Sequence, residues 1–308
     1  MKRWIKKSRY PLLFLLATAS IVLWKESQKL PNGTFTMHFF DVGQGDATMV
    51  ETPSGAKMLI DGGPPSAIVE QLGRVLPFWD RSIDVVVFTH PQLDHIGGLP
   101  DVFERYEVKR VIMAYAPYRL AAYEELLEII EHQHIPVTLA RPDVVIDFGD
   151  GVVAQILHPT NRAAERIVES DINETSVILR IAYGETSLLA VGDAGFETEN
   201  ALIASGAPID ADILKVGHHG SKYSSSLRFL KAVTPRITAI EVGRNNRYGH
   251  PTPEALDRIA AVGAAVFRTD RDGTITIASD GHVVWRAADG ACMLHIFCKQ
   301  RPQILFSE

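Results

Sequence analysis

His90, Asp94 and His95 lie within six positions, just after the apolar run Val85-Val86-Val87-Phe88. Imidazole nitrogens and carboxylate oxygens are the donors that Zn²⁺ and Mn²⁺ accept, and the end of a buried strand holds them rigidly. Three more apolar runs end in the same kind of group. Residues 58–60 lead into Asp61-Gly62-Gly63, residues 187–191 into Gly192-Asp193, and residues 213–216 into Gly217-His218-His219-Gly220. Taken singly, Asp61 and Asp193 read as turn residues, and one of the paired histidines as a surface residue. Independent turns would not all select metal-ligand chemistry, so the combination predicts strand ends that converge on a metal centre. The adjoining glycines let the backbone turn tightly and leave room for a ligand.

Such strand ends need a scaffold. In the first half the β-type runs "TFTMHFFDVG", "DATMVETPSG" and "AKMLIDGG" are separated by glycine turns. A helical pattern follows, with Ile68, Leu72, Val75 and Leu76 on one face. Then come the strand "DVVVF", the helix "LPDVFERY", the strand "KRVIMAY" and a helix whose apolar face carries Tyr123, Leu126, Leu127 and Ile130. The second half repeats the style. It has the strand "VVAQILHP", a hairpin turning at Gly184, the helix "FETENALIASG", the strand "ADILKVGHHG" and the helix "SLRFLKAVT". The strand "ITAIEVG", the helix "TPEALDRIAAVG" and a last hairpin across residues 265–287 complete it. Two strand-then-helix halves, mostly antiparallel, predict an α/β fold of two packed sheets with helices outside.

The chain has 308 residues, 46% of them hydrophobic, and a net charge of -6. One globular domain is expected over about 34–288, after an N-terminal segment and linker (1–33) and before a tail (289–308). The negative charge excludes bulk attraction to nucleic acid or acidic membranes, so an anionic substrate must be gripped locally. No basic patch or aromatic stripe points to tight nucleic-acid binding. Cys292 and Cys298 form neither a zinc-type pair nor a disulfide framework.

Lys2, Arg3, Lys6, Lys7 and Arg9 precede "YPLLFLLATASIVLW" with no acid among them. That is an export pattern. The apolar run is short for a membrane span of about 20 residues, but Tyr10 and Trp24 would extend it at the two interfaces. An uncleaved anchor is favoured over cleavage near Ala17-Thr18-Ala19, with a buried N-terminal helix as the alternative. Either export reading places the rest of the chain outside the cytoplasm.

With these residues in view, the sequence resembles the metallo-β-lactamase superfamily, whose signature is His-x-His-x-Asp-His after a strand. It is similar in particular to the C-terminal hydrolase domain of ComEC-type competence proteins. The likeness is carried by "FFDVGQGDATMVE", "MLIDGG", "VVVFTHPQLDHIGGLPDV", "ILHP", "NETSVILRIAYGETSLLAVGD", "DILKVGHHGSKYSSS" and "RYGHPTPEAL", in order. It implies a four-layer αββα sandwich of two mixed sheets and a hydrolase dependent on a divalent metal, Zn or Mn. A stand-alone relative is expected, without the family's many-helix membrane channel.

The resemblance makes His90 a ligand of a first metal site and Asp94 and His95 ligands of a second. It makes Asp193 the bridging carboxylate and His219 the last ligand. His218 becomes a proton donor or phosphate contact, and Asp61 the group that orients a ligating histidine. Asp46, Gln92, Asn173, Ser221, Lys222 and His250 are expected around the centre or against the substrate.

Two departures stand out. Gln92 occupies a position where the superfamily has His and the ComEC type often has Asp, and an amide oxygen is a weak neutral ligand. A further histidine, expected before the strand at Ser176, is missing. Asp171 and Asn173 are its nearest candidates, and His158 reads as a loop residue rather than its replacement. The first site keeps His90 and the shared Asp193. The second keeps Asp94, His95, Asp193 and His219. One tight ion and a weak or empty first site are therefore expected.

One ion lowers the pKa of bound water and polarises the substrate. Asp94 and Asp193 would hold it, and Asp193 would also receive the proton of the water. Ser221, Lys222, Ser224, Arg244, Arg247 and His250 lie within sequence reach of His219 and suit a phosphate. The expected activity is an exported phosphodiesterase or nuclease, with single-stranded DNA among its substrates. The alternatives are a hydrolase of another extracellular phosphoester, resembling teichoic-acid phosphorylcholine esterases, and a binding domain with an eroded metal site.

Overall fold

The structure is a computed structural model, described for residues 9–114, 116, 118–160, 172–288 and 291–292. Strand alternation decides what faces inward. Phe35, Met37 and Phe39 share one face of the strand Phe35–Phe39, and Val50, Met58 and Ile60 continue that face on Thr48–Glu51 and Lys57–Ile60. Ile156, Leu179, Ile181, Leu188 and Ile213 meet them from a second sheet, and the two sets form one buried apolar layer. The outer faces bury different residues. Met49, Leu59, Val86 and Phe88 pack under the helices Ile68–Val75, Leu99–Arg105 and Ala121–His132. Leu189, Leu214 and Ile240 pack under Phe196–Ser205, Leu227–Val233 and Pro253–Ala261. The layers run helix, sheet, sheet, helix, which is the αββα sandwich that the resemblance implies.

Among the described residues the first sheet has nine strands, in the order Ala291–Cys292, Val284–Ala288, Ile275–Ser279, Phe35–Phe39, Thr48–Glu51, Lys57–Ile60, Val85–Phe88, Val111–Met113, Val137–Leu139. The second has seven, in the order Ala265–Arg268, Ile237–Ile240, Ile213–Lys215, Thr186–Ala190, Ile178–Tyr183, Val152–His158, Val145–Asp147. Each sheet is antiparallel on one side and parallel on the other, so the expectation of mostly antiparallel sheets holds for only part of each. The parallel side matters most, because ligands gather outside the carboxyl ends of parallel strands. Asp61, His90, Asp193 and the paired histidines all follow such ends.

The last hairpin lies elsewhere than expected. Ala265–Arg268 pairs in parallel with Ile237–Ile240, whereas Ile275–Ser279 crosses to the first sheet and pairs with Phe35–Phe39 and Val284–Ala288. The short helix Thr269–Asp272 and Gly273, at φ 68°, turn the chain between sheets. The buried Thr269 hydroxyl fastens that turn by accepting the Val242 N–H at 2.8 Å.

The helix Arg9–Ser27 is exposed throughout residues 10–25, so it is not the buried helix of the alternative reading. No helix among the described residues is long and apolar enough to cross a membrane, and the expected anchor finds no support in the fold. Residues 1–8 of the basic flank lie outside the described residues, as do Cys298 and the tail from 293. The helix runs to Ser27, inside the N-terminal segment and linker expected over 1–33. Glu26 accepts the Phe78 N–H, and Lys29 Nζ donates to the carbonyls of Gly73 and Leu76.

Candidate metal centre

The turn after Val85–Phe88 carries Thr89 and His90, and the helical turn Leu93–Ile96 carries Asp94 and His95. This turn packs directly on Asp61-Gly62-Gly63. A Cβ on Gly98 would lie 2.2 Å from the Gly62 carbonyl oxygen, so the motif must end in glycine. Asp61 is held on every side. Its Oδ1 accepts the Thr89 N–H at 2.7 Å, and its Oδ2 accepts the Thr89 hydroxyl and His95 Nδ1–H, each at 2.8 Å. That fixes the His95 ring and leaves Nε2 facing the centre.

His219 is held in the same manner. Its Nδ1 faces the Glu241 carbonyl at 2.9 Å and Asp46 Oδ1 at 3.1 Å. Its Nε2 lies 3.3 Å from Asp94 Oδ2 and 3.5 Å from Asp193 Oδ2, while His95 Nε2 lies 3.4 Å from Asp193 Oδ1. His95 Nε2, His219 Nε2 and Asp193 Oδ1 are buried without a hydrogen-bond partner. Buried polar atoms are otherwise almost always paired. The convergence of these nitrogen and oxygen donors fits a divalent cation. Asp61, His218 and His219 sit at φ 59°, 49° and 52°. A histidine in that left-handed region carries a local cost, which the surrounding contacts must offset.

Charge is concentrated here. Burial opposes protonation of His219, but Asp193 and Asp46 outweigh it and push the imidazole up to about 10. Burial likewise opposes protonation of His95, and Asp193 and Asp61 hold it well above its ordinary value. His90 goes the other way, because burial and the neighbouring His95 push it down to about 3. Its Nδ1 meets the Thr89 hydroxyl and its Nε2 the Gln92 amide, each at 3.0 Å. Asp46 is buried under an ion pair with Lys215.

A cleft of about 330 Å³ opens over these groups, with Gln92, Asp94, Asn173, Asp193, His219 and His250 in its lining. His218 lines it too, its Nε2 3.9 Å from Asp193 Oδ2 and its ring 5.7 Å from that of His250. Asn173 has its buried Oδ1 unpartnered. Asp171 lies outside the described residues. His158 is not a loop residue. It is the buried last residue of Val152–His158, with Nδ1 bonded to the Ser176 carbonyl at 3.0 Å.

The expected phosphate contacts fare differently. Ser221, Lys222, Ser224, Arg244 and Arg247 do not line the cleft. The serines are used to brace the strained histidine turn. Ser224 Oγ donates to the Gly217 carbonyl at 2.6 Å, and Ser221 Oγ accepts the Tyr223 N–H at 3.3 Å. Lys222 Nζ lies 5.0 Å from the centre of the Tyr223 ring, and Arg244 donates to the Asp270 carbonyl at 3.1 Å. Among the described residues no lysine or arginine lines the cleft.

Four supporting residues escape the sequence reading. Lys215 donates to Asp46 and to the Gly192 carbonyl at 3.0 Å, and lies 4.0 Å from Asp193 Oδ1. Glu241 accepts the Ala47 N–H at 3.0 Å and the Thr48 hydroxyl at 2.9 Å. A charged residue inside an apolar strand run is the signal that marks both. Arg258 donates to the carbonyls of Lys222, Ser224 and Ser225 at 3.0, 2.9 and 2.9 Å, while Glu199 accepts the N–H groups of Ser225 and Ser226. Together they clamp the loop after His219. Arg258→Ala should cost about 2–3 kcal/mol, the worth of a charged hydrogen-bond cluster, and should speed hydrogen exchange at the amides of 221–226. Unchanged exchange would show that the loop is held by other contacts.

Residues 40–240 match the metallo-beta-lactamase superfamily. ComE operon protein 3 of Bacillus subtilis (strain 168) is 30% identical over 252 residues, covering 76% of this chain and 32% of that protein. Competence protein ComA of Neisseria gonorrhoeae is 30% identical over 253 residues, covering 80% and 33%. The chain thus spans about a third of the length of these curated relatives. The metallo-beta-lactamase fold protein YhfI from Bacillus subtilis superposes with a TM-score of 0.50 at 14% identity, covering 76% of this chain and 96% of that one. CmlA, a diiron beta-hydroxylase from Streptomyces venezuelae, superposes with a TM-score of 0.50 at 15% identity, covering 78% and 53%. Both share the fold. Divalent-metal binding follows from that fold and from donor clusters such as Asp94, His95 and His219. The chain belongs to the metallo-β-lactamase superfamily, a family chiefly of metal-dependent hydrolases, and has ComEC-type competence proteins among its relatives.

Proposed function

We propose that this chain is an exported, metal-dependent phosphodiesterase. The observation that carries this reading is the meeting of His95 Nε2, His219 Nε2 and Asp193 Oδ1, buried and without hydrogen-bond partners, beneath an open cleft. Asp94, His95, Asp193 and His219 hold one tight ion, Zn²⁺ or Mn²⁺. The position beside His90 is weak or empty, because Gln92 brings no charge to it. When bound, the ion supplies a Lewis acid for a phosphoryl oxygen and lowers the pKa of water. The residues of the chain do the rest. Asp61 and Asp46 hold the imidazoles of His95 and His219 in one orientation. Asp193 receives a proton from the attacking water. His218, on the cleft wall, delivers one to the leaving oxygen. Export is supported by the basic residues ahead of the apolar residues 10–24.

DNA as substrate is supported by the competence proteins among the relatives. The cleft lining favours a smaller phosphoester. Among the described residues it has no lysine or arginine, and it includes Tyr118 and Tyr248, the latter stacked on His250 with ring centres 5.9 Å apart. The test is turnover of single-stranded DNA, of bis(p-nitrophenyl) phosphate and of a choline phosphodiester by Zn²⁺- or Mn²⁺-loaded protein. Turnover of any of them, lost in Asp94→Ala and His219→Ala, supports the reading. Metal-replete protein that turns over none is a binding domain. Any DNA cleavage should depend only weakly on salt, since few cations meet the phosphates. A steep salt dependence would place a basic contact surface outside the cleft.

A further inference from the structure

Gln44, on the loop between Phe35–Phe39 and Thr48–Glu51, lines the cleft and is held at one end of its side chain. Its Oε1 accepts the Gly243 N–H at 3.1 Å. A backbone N–H can only donate, so this bond settles which end of the amide is the oxygen. The NH₂ end is the one left over, since Nε2 is buried without a hydrogen-bond partner. It shares that state with His95 Nε2, His219 Nε2 and Asp193 Oδ1. Unlike them it cannot hold a metal ion, because an amide nitrogen is a donor and not a ligand. It needs an oxygen to donate to.

The place of Gln44 is fixed from both halves of the fold. A Cβ on Gly243 would lie 2.7 Å from the Gln44 backbone nitrogen, and a Cβ on Gly45 would collide with the Asp94 carbonyl. That carbonyl accepts the Asp46 N–H at 3.1 Å, and Asp46 Oδ1 lies 3.1 Å from His219 Nδ1. The loop is thus wedged between the turn that carries Asp94 and the chain that follows Ile237–Ile240. Among the described residues no lysine or arginine lines the cleft, so phosphoryl charge that the ion does not meet falls to neutral donors. A fixed N–H aimed at a developing oxyanion does that work without any charge of its own.

We propose that the side-chain amide of Gln44 donates to a non-bridging phosphoryl oxygen of the substrate. This rests on the phosphodiesterase reading above and adds to it the group that receives the oxygen in a cleft without cations. Gln44→Glu keeps the acceptor for the Gly243 N–H and loses the donor. Gln44→Met loses the donor and adds no charge.

The contact can be read without turnover. In Zn²⁺-loaded, ¹⁵N-labelled wild type, dimethyl phosphate should move one side-chain NH₂ pair downfield, and that pair should be missing from the spectra of Gln44→Glu and Gln44→Met. Both variants should bind Zn²⁺ as the wild type does. Both should lose kcat/KM on bis(p-nitrophenyl) phosphate by about 10²–10³-fold, the effect of removing one oxyanion donor. Three results would overturn the assignment. One is an NH₂ pair that dimethyl phosphate leaves in place. Another is a pair that Zn²⁺ alone shifts and the diester moves no further, which would make water the acceptor. The third is a wild-type rate in Gln44→Met, which would make any loss in Gln44→Glu a matter of charge repulsion. The two proposals fail separately. A shifted amide in protein that cleaves no diester keeps the donor and loses the phosphodiesterase. Diester cleavage that Gln44→Met leaves unchanged keeps the phosphodiesterase and loses the donor.

Discussion

Asp193→Ala should fold, fail to retain its divalent ion and lose turnover by far more than the ~10–100-fold that a supporting partner of a ligand costs. The reason is its position. One carboxylate reaches His95 Nε2 at 3.4 Å through Oδ1 and His219 Nε2 at 3.5 Å through Oδ2, and so joins two of the strand ends. It also contributes to two separate donor clusters, one with His90 and His95 and one with Asp46 and His219. Asp61→Asn is the matched comparison. It contacts His95 only at Nδ1, so it should retain some ion and lose activity within the supporting range. Metal content by mass spectrometry, with initial rates on the best phosphodiester, measures both. Full metal retention in Asp193→Ala would remove it from the ligand set.

Lys215→Met should lower stability by about 3–5 kcal/mol, because removing one member of a buried ion pair leaves the other charge uncompensated. Lys215 is 3% exposed and Asp46 2%. For a domain of this size that corresponds to a fall in Tm on the order of 10 °C. Burial disfavours the charged amine, but Asp46 and Asp193 outweigh it and raise Lys215 to about 12 from its usual 10.5. The stability tied to that shift is fully present below about 10.5 and is lost as pH climbs through about 12, so a neutral-pH melt sees all of it. The double variant Lys215→Met with Asp46→Asn should recover a large part of the loss, since neither charge is then stranded. A Tm in Lys215→Met equal to that of the wild type would show that water reaches this pair.

His90, Asp94, His95, Asp193 and His219 were legible because each follows a short apolar run. Parallel strands bring the ends of such runs to one edge of a sandwich. The glycines beside the strand ends were expected to allow tight turns and leave room for a ligand; Gly98 instead makes room for the Gly62 carbonyl. Direction was not legible. Ser221 and Lys222 stand beside His219 in sequence, yet the left-handed turn at His219 sends the following loop away from the cleft. Lys215 meets Asp46 across 169 positions and Glu241 meets Ala47 across 194, contacts that no local pattern encodes. The exchange of sheets between Arg268 and Ile275 was hidden for another reason. A strand that changes sheets shows the same alternation as the arm of a hairpin.

That exchange has a consequence in time. Phe35–Phe39 pairs on one side with Thr48–Glu51 and on the other with Ile275–Ser279. At a synthesis rate of about 5–20 residues per second, its second edge stays open for roughly 10–50 s while the intervening chain emerges. An open apolar edge is a site for pairing with another chain. A polypeptide stopped near residue 270 would still contain every candidate ligand, from Asp46 to His219, and would lack the strand that covers this edge. Solubility in such a truncation is set by the last strands of the sheet, and metal chemistry by the ends of the middle ones.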